Sequence, residues 1–159
     1  MKNIDALFIS DVHLGSRGSN PDKLLNVLKQ YQPKKLFLVG DIIDGWLLKR
    51  NFRWPNSHTK VIQKLLKLSK NGTKIIYIPG NHDEFLREYG EVKFGNIELH
   101  NEYVWKNTLI THGDLYDGVV QMKWLALLGS VGYDTAIVID RFLKKMGMKR
   151  SLSKFLKDK

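Results

Sequence analysis

The stretch Lys35-Leu-Phe-Leu-Val-Gly-Asp-Ile-Ile-Asp44 decides the fold class of this 159-residue chain. Its first half is a near-continuous apolar run, which is typical of a strand buried on both faces of a sheet. A glycine and two aspartates follow directly, where that strand must end. Similar runs predict four more strands, two of them strong and two weaker: Ala6–Ile9, Lys74–Ile78, Ile97–Leu99 and Thr108–Thr111.

Helical patterns fill the gaps between the first three strands. Asn20-Pro21-Asp22 combines a capping residue, a proline at the first helical position and an early acid, so it predicts a helix start. Leu24, Leu25, Leu28 and Tyr31 then fall on one helical face. A second helix carries Val61, Ile62, Leu65, Leu66 and Leu68 and is expected to end at Asn71-Gly72. Alternating strands and helices predict an α/β sheet with right-handed crossovers.

The character of the chain changes after Gly118. Residues 119–128 and 133–146 are predicted to form a C-terminal helical pair, so we interpret 1–118 as a core and 119–159 as a basic, apolar helical cap of the same domain. Of the net charge of +10, residues 1–118 carry +4 and residues 119–159 carry +6. This excess favours anionic partners such as lipid headgroups, nucleic acid or phosphorylated substrates; the alternative is a solvated basic helical surface.

Composition excludes several classes of protein. There is no cysteine, so disulfides and thiolate metal sites are absent. No apolar run reaches the ~18 residues of a membrane span, and the start lacks the features of a signal peptide, so export is not indicated. We therefore expect a cytoplasmic protein in which His, Asp, Glu or Asn hold any transition metal.

Polar clusters follow four of the predicted strands directly. They are Asp11-Val-His13, Gly40-Asp41-Ile-Ile-Asp44, Gly80-Asn81-His82-Asp83 and His112-Gly113-Asp114. Because ligands bind at the carboxyl ends of strands in open α/β sheets, we expect these clusters to converge on one site. Their carboxylates, imidazoles and amide suit Mn, Fe or Zn, and Mg more weakly. A carboxylate at Asp41 can bridge two cations, which together clamp a phosphoryl group.

Some polar residues have simpler interpretations. We interpret Asp44 as a carboxylate at a helix start rather than a ligand, and His58 and His100 as structural. Asp11 alone is typical of a turn or cap, and Asn81 beside Gly80 is typical of a turn. Their joint placement with the other clusters favours the metal centre over these readings.

Together the four clusters resemble the calcineurin-like metallophosphoesterase superfamily, whose pattern is D-x-H, G-D-x-x-D, G-N-H-D/E, an isolated His before Gly, and G-H-x-H. The longer stretches 11–17, 40–46, 80–86 and 112–114 resemble its UDP-2,3-diacylglucosamine diphosphatase-like branch, which acts in lipid A biosynthesis. The resemblance covers nearly all of residues 4–156. It implies a layered metallophosphoesterase sheet with flanking helices, two divalent metal ions with Mn expected first and Fe, Zn or Mg as alternatives, and a capping helical pair.

The resemblance also implies roles for single residues. Asp11, His13 and Asp41 would bind one metal, and Asp41, Asn81 and His112 the other. His82 would touch the scissile phosphate and act as the catalytic acid. The implied substrate contacts are Asn81, His82, Arg17 and Trp124. That branch typically has arginine where this chain has His82. The resemblance therefore implies the reaction class more directly than it implies the substrate.

One block of the family pattern is missing. No histidine follows His112, so G-H-x-H and the C-terminal strands that complete the sandwich are not in these 159 residues. Each metal then keeps three protein ligands, counting Asp41 twice. The expectation is either a shortened product of a longer gene or a site completed by a second polypeptide.

Three functions are compatible with the sequence. The first is hydrolysis of UDP-2,3-diacylglucosamine to UMP and 2,3-diacylglucosamine 1-phosphate, with the basic helices touching an anionic inner-membrane surface peripherally. The second is a general phosphodiesterase or nuclease, although no helix-turn-helix or aromatic recognition strand favours nucleic acid as a partner. The third is a non-catalytic remnant that binds a membrane or a partner. In the first function the apolar residues of 119–159 would face lipid; the alternative is that they pack onto the main sheet.

Overall fold

A computed structural model describes residues 1–117 together with Gly132 and Thr135. The chain divides into two compact units, Met1–Asp114 and Leu115–Lys159. The helical pair predicted after Gly118, including Trp124, lies outside the described residues, so the predicted boundary between core and cap stays a prediction. No helix among the described residues is long and apolar enough to cross a membrane.

Five strands form the main sheet, in the order β1-β2-β3-β5-β4. These strands are β1 (Lys2–Ile9), β2 (Tyr31–Val39), β3 (Lys74–Ile78), β4 (Val92–Phe94) and β5 (Ile97–Leu99). β1, β2, β3 and β5 pair in parallel, and β4 pairs with β5 antiparallel. The predicted α/β class is therefore confirmed, with parallel strands at the centre of the sheet.

Helices connect the parallel strands. They are α1 (Pro21–Gln30), α2 (Gly45–Arg50) and α3 (Asn56–Lys70), and a 3-10 helix spans Glu84–Tyr89. The side chain of Asn20 caps α1 by accepting a hydrogen bond from the backbone N–H of Lys23, as the sequence predicted. α1 and α3 bury leucines against one face of the sheet, beside Leu36, Leu38 and Ile75.

Within residues 1–117, a two-stranded hairpin forms a second sheet that shares no strand pairing with the main sheet. It consists of β6 (Tyr103–Trp105) and β7 (Thr108–Ile110), and its two-residue turn has Lys106 and Asn107 at φ 48° and 61°. Ile110 packs with Phe37, Ile76 and Ile78, and Tyr103 and Trp105 lie against this cluster. The sheet thus has helices over one face and the hairpin over the other, which gives the layered arrangement that the sequence suggested.

One sequence-based prediction needs correction. Tyr31 was placed on the first helix, but it begins β2 and pairs with Lys2. Pro33 explains the early end of the helix, because proline removes a backbone donor and disfavours helical geometry in the residue before it. The weaker strand predicted at Thr108–Thr111 is confirmed as β7, which pairs with β6 in the hairpin.

Candidate metal centre

Four loops meet at the carboxyl ends of β1, β2, β3 and β7. Two of them are held together by backbone hydrogen bonds: the N–H of Asp11 donates to the carbonyl of Gly40 at 3.1 Å, and the N–H of His13 donates to that of Asp41 at 2.8 Å. Leu14 and Ile43 form a parallel bridge just beyond. The first two loops therefore behave as a short extension of the β1–β2 ladder.

Three of the polar residues have left-handed backbone conformations. Asp11, His13 and Asp41 lie at φ 53°, 49° and 54°. A non-glycine residue in this region costs on the order of 1–3 kcal/mol, and such residues cluster at functional sites. The surrounding hydrogen bonds hold these three residues in conformations that the free chain would avoid.

Asp11, Asp41 and His112 form the first group of side chains that could hold a metal ion, with ligand atoms within 4.8 Å of one another. Within the group, Nε2 of His112 lies 3.6 Å from Oδ2 of Asp41. Asp41 is only 4% exposed, whereas Asp11 faces solvent. The group is thus open to solvent on the side of Asp11.

His13, Asp44 and His82 form the second group, which meets the same distance limit of 4.8 Å. Nδ1 of His82 lies 3.1 Å from Oδ1 of Asp44, and Nδ1 of His13 lies 3.9 Å from Oδ2 of Asp44. His13 also connects the groups, because its Nε2 lies 3.8 Å from Oδ2 of Asp41. The two groups therefore adjoin along the buried Asp41 carboxylate.

Ionisation in the site favours carboxylates paired with imidazoles. Burial opposes the charge on Asp41, but the contacts with His112 and the hydrogen bond from the backbone N–H of His82 together outweigh it and lower the pKa of this carboxyl. Burial likewise opposes the charge on His82, but its hydrogen bond to Asp44 and the charges of Asp41 and Asp44 raise the pKa of the imidazole. The bond to Asp41 also raises the pKa of His112. The field of the site is thus negative, as a cation site requires.

Glycine is required at two positions between these groups. A Cβ on Gly40 would collide with the imidazole of His112, and one on Gly80 would collide with the Asp41 carboxylate. Gly40 also has a left-handed φ of 71°. Because neither glycine has a side chain, His112 and Asp41 can approach the backbone closely at these two positions.

Asp83 organises the site, although the sequence pattern gave it no role. It is fully buried, and its carboxylate accepts hydrogen bonds from the backbone N–H groups of Asp41, Ile42, Ile43 and Gly80 and from the hydroxyl of Tyr77. It thus joins the loop after β2 to the loop after β3. The signal in the sequence was an acid directly after Gly80-Asn81-His82, inside the motif but without an assigned function.

Trp46 is a second residue that sequence reasoning did not assign. Its indole stacks on the imidazole of His82, with ring centroids 4.4 Å apart and an interplanar angle of 30°. The ring of His13 meets His82 edge-on at 4.6 Å. His82 is therefore held by ring contacts as well as by its hydrogen bond to Asp44.

The structure brings most of the predicted site residues together. Asp11, His13, Asp41, His82 and His112 meet as described, and Asn81 lies half-buried in the same loop as His82. The grouping differs from the predicted ligand sets, because His13 joins Asp44 and His82 rather than Asp11. Arg17 is exposed on the loop after β1, and Trp124 lies outside the described residues. The ligand and substrate roles of these residues stay predictions.

The residues set aside as structural occupy structural positions. Asp44 caps α2 by accepting a hydrogen bond from the N–H of Leu47 at 2.9 Å, although it also belongs to the second group. His58 is buried, and its Nδ1 accepts the N–H of Gly15 at 2.8 Å. Burial lowers the pKa of His58, which favours the neutral ring that such a bond requires.

The sequence profile of one family, described as calcineurin-like phosphoesterase, matches residues 4–158. This match spans nearly the whole chain and includes all four loops of the site. The chain belongs to the calcineurin-like phosphoesterase family. The α/β layered sheet is the fold expected of a member, so the resemblance inferred from the motifs is confirmed.

Two curated relatives carry the name UDP-2,3-diacylglucosamine hydrolase. The protein from Porphyromonas gingivalis is 30% identical over 118 residues, which cover 67% of this chain and 45% of the relative. The protein from Aeromonas hydrophila is 29% identical over 147 residues, covering 79% of this chain and 58% of the relative. The chain thus spans about half the length of the curated relatives it matches.

A solved structure, the nuclease MPE of Pseudomonas putida, is also similar. It is 21% identical and superposes with a TM-score of 0.39 over 64% of this chain and 50% of that one.

Proposed function

We propose that the two groups line a two-metal centre that hydrolyses a phosphoric ester or anhydride, with His82 beside the metal ions rather than bound to them. The observation that carries this proposal is the adjoining pair of His/Asp groups around the buried carboxylate of Asp41. Family membership supports the reaction class. Because the chain spans about half of its curated relatives, its activity and its substrate are both part of the proposal.

The donor set fits a pair of borderline divalent cations. Each group offers imidazole nitrogen and carboxylate oxygen, which suit Mn, Fe or Zn better than Mg, and Mn is the metal we propose first. Asp11, Asp41 and His112 would hold one ion; His13, with Asp41 or Asp44, and Asn81 are the candidates for the other. Bound cations would supply Lewis-acid chemistry, because they polarise phosphoryl oxygens and lower the pKa of water.

His82 is the residue that we propose as the general acid. Its Nδ1 faces Asp44, so a proton there donates to the carboxylate and leaves Nε2 to carry the proton that the leaving oxygen takes. In the metal-free protein, Asp44 and Asp41 raise the pKa of His82 despite its burial, so these carboxylates favour the charged imidazole. The stacked indole of Trp46 fixes the plane of the ring and covers one of its faces.

For the substrate, we propose the pyrophosphate bond of UDP-2,3-diacylglucosamine, cleaved to UMP and 2,3-diacylglucosamine 1-phosphate. The names of the two curated relatives support this choice, as does the net charge of +10, which favours an anionic substrate. A cytoplasmic enzyme in peripheral contact with the inner membrane is part of the same proposal. Completion of the site by a second polypeptide stays a prediction.

The test is release of UMP from the lipid substrate by the 159-residue chain with added Mn²⁺. We expect metal-dependent turnover that Asp11→Ala abolishes and that Asp5→Ala, at an exposed acid outside the site, retains. Parallel assays use single-stranded DNA and RNA. Turnover of nucleic acid alone would replace the lipid substrate with a nuclease function, and a wild-type rate equal to that of Asp11→Ala on every substrate would exclude the enzyme.

A second measurement addresses His82 alone. His82→Gln should lower kcat by ~10²–10⁴ for a phosphoester with a poor leaving group, because that oxygen needs a proton in the transition state. It should change the rate far less for p-nitrophenyl esters, whose leaving group is stable as an anion. Equal losses on both substrates would instead assign His82 to binding or to metal coordination.

A further inference from the structure

Arg87 lies on the 3-10 helix Glu84–Tyr89, one turn after the loop that carries Asn81 and His82. Its Nη2 donates to the backbone carbonyl of Pro79 at 2.8 Å and to Oδ1 of Asp114 at 2.7 Å. The side chain of Asp114 is 5% exposed and that of Arg87 is 19% exposed. The bond to Asp114 is a largely buried, charge-assisted hydrogen bond, and such bonds are stronger than those between neutral groups.

The contact joins two loops that the β-ladders leave unconnected. Pro79 ends the run from β3 and directly precedes Gly80 and Asn81, whereas Asp114 follows His112 by two residues. β3 belongs to the five-stranded sheet and β7 to the separate hairpin. No ladder hydrogen bond therefore fixes the distance between the Asn81–His82 loop and the His112 loop, and the guanidinium of Arg87 bridges them.

Stability alone is a weak reason for such a pair. Desolvation of two charges offsets much of their attraction, so a buried ion pair often contributes little beyond an apolar replacement. Here the buried Nε of Arg87 also has no hydrogen-bond partner among the described residues, which adds a cost. A geometric role, in which one planar guanidinium holds two acceptors on different loops, accounts for an arginine at this position.

We propose that Arg87 and Asp114 are positioning residues that set the separation of the loop of Asn81 and His82 from His112, and thereby set the affinity of the centre for divalent metal. The inference rests on the proposed two-metal function. Partners outside the ligand shell typically contribute 10–100-fold to metal affinity or activity when they orient a ligand. Arg87 acts through the backbone at Pro79 and through Asp114, and touches none of the proposed ligands in the described contacts.

The experiment is calorimetric titration of the metal-free 159-residue chain with Mn²⁺, in wild type, Arg87→Met and Asp114→Asn. We expect both variants to bind at least one Mn²⁺ ~10–100-fold more weakly than wild type. The concentration of Mn²⁺ that gives half-maximal hydrolysis should rise in parallel, and saturating metal should restore most of kcat. Lys34→Met is the matched control, because it breaks an exposed ion pair, with Asp5 at 2.9 Å, and should change neither quantity.

Thermal unfolding in EDTA separates positioning from folding. If Arg87→Met and Asp114→Asn lower the melting temperature but bind Mn²⁺ with wild-type affinity when folded, the pair is structural and the inference is overturned. If Arg87→Met does not fold, Arg87→Gln decides, since glutamine is polar but too short to bridge Pro79 and Asp114: weakened Mn²⁺ binding supports the inference and unchanged binding overturns it. Failure of wild type to bind Mn²⁺ would overturn the metal centre itself, and the inference with it.

Discussion

Asp83 shows how one buried side chain organises the site. Four backbone N–H groups from two loops and the hydroxyl of Tyr77 on β3 converge on its carboxylate, and it is fully buried. Three of those donors are consecutive backbone N–H groups at Asp41, Ile42 and Ile43, the segment that carries the left-handed residue Asp41. The carboxylate therefore offsets the strain at Asp41 by satisfying backbone groups that no strand pairs.

Replacing Asp83 by asparagine should destabilise the fold and disable the site together. The amide keeps one acceptor oxygen and turns a donor toward N–H groups, so buried donors lose their partner at a cost of ~1–3 kcal/mol each. We expect Asp83→Asn to lower the free energy of unfolding by about 3 kcal/mol in urea titrations. The same change at Asp5 should have a much smaller effect, because an exposed ion pair contributes little to stability. Similar values for both variants would contradict the role assigned to Asp83.

Glu98 is the residue whose ionisation should be visible in stability. The hydrogen bond from Lys74 lowers the pKa of Glu98 to about 2, with further bonds from His100 and Lys93. Because the folded-state pKa is depressed, the stabilisation is fully present above the ordinary glutamate pKa and is lost as pH falls toward about 2. In metal-free protein, Glu98→Gln should therefore be less stable than wild type at pH 7, and the difference should shrink through the acid range. A difference independent of pH would contradict this account.

At the scale of elements, the β6–β7 hairpin positions His112, which lies two residues beyond the end of β7. Its turn has two successive left-handed residues, Lys106 and Asn107, and such two-residue turns favour glycine at the second position. We expect Asn107→Gly to raise the free energy of unfolding by about 0.5 kcal/mol, because the native φ is free of strain for glycine. Asn101→Gly is the control: Asn101 is exposed but is not left-handed, and glycine there should be neutral or destabilising. Equal changes in the two variants would show that the turn conformation does not contribute.

The sequence predicted the elements whose signal is local and missed those fixed by partners far along the chain. The long apolar runs and the Asn20 cap identified three strands and two helices, and the motifs named the residues that meet at the strand ends. β4, β6 and α2 were not predicted, because segments of three, three and six residues carry little periodic pattern. The strands β5 and β7, also of three residues each, were predicted only from weaker signals. Asp83 and the Arg87–Asp114 pair act between loops from different strands. Their roles depend on which backbone groups the fold leaves unpaired, and no local pattern encodes that.

At the scale of the whole molecule, the net charge of the chain is positive, whereas the side chains gathered at the site include several carboxylates. The chain carries a net +10, yet the carboxylates of Asp11, Asp41 and Asp44 converge at one edge of the sheet. A basic surface attracts anionic ligands over distance, whereas the local acidic cluster attracts cations at contact. The two fields are compatible if bound cations reverse the local sign and so accept an anionic phosphoryl group, as the proposed function requires.

If bound cations neutralise the carboxylates of the site, divalent metal should stabilise the folded protein. The carboxylates of Asp11, Asp41 and Asp44, gathered by two loops, repel one another in the metal-free protein. A ligand that binds the folded state alone adds ~2.7 kcal/mol per site at a concentration of ~100 times its Kd. Wild type should therefore melt at a higher temperature in Mn²⁺ than in EDTA. Asp41→Asn should lose most of that increase, because Asp41 borders both groups, while Asp5→Asn should keep it. An increase of equal size in all three proteins would mean that the metal binds away from Asp41 and would contradict the proposed centre.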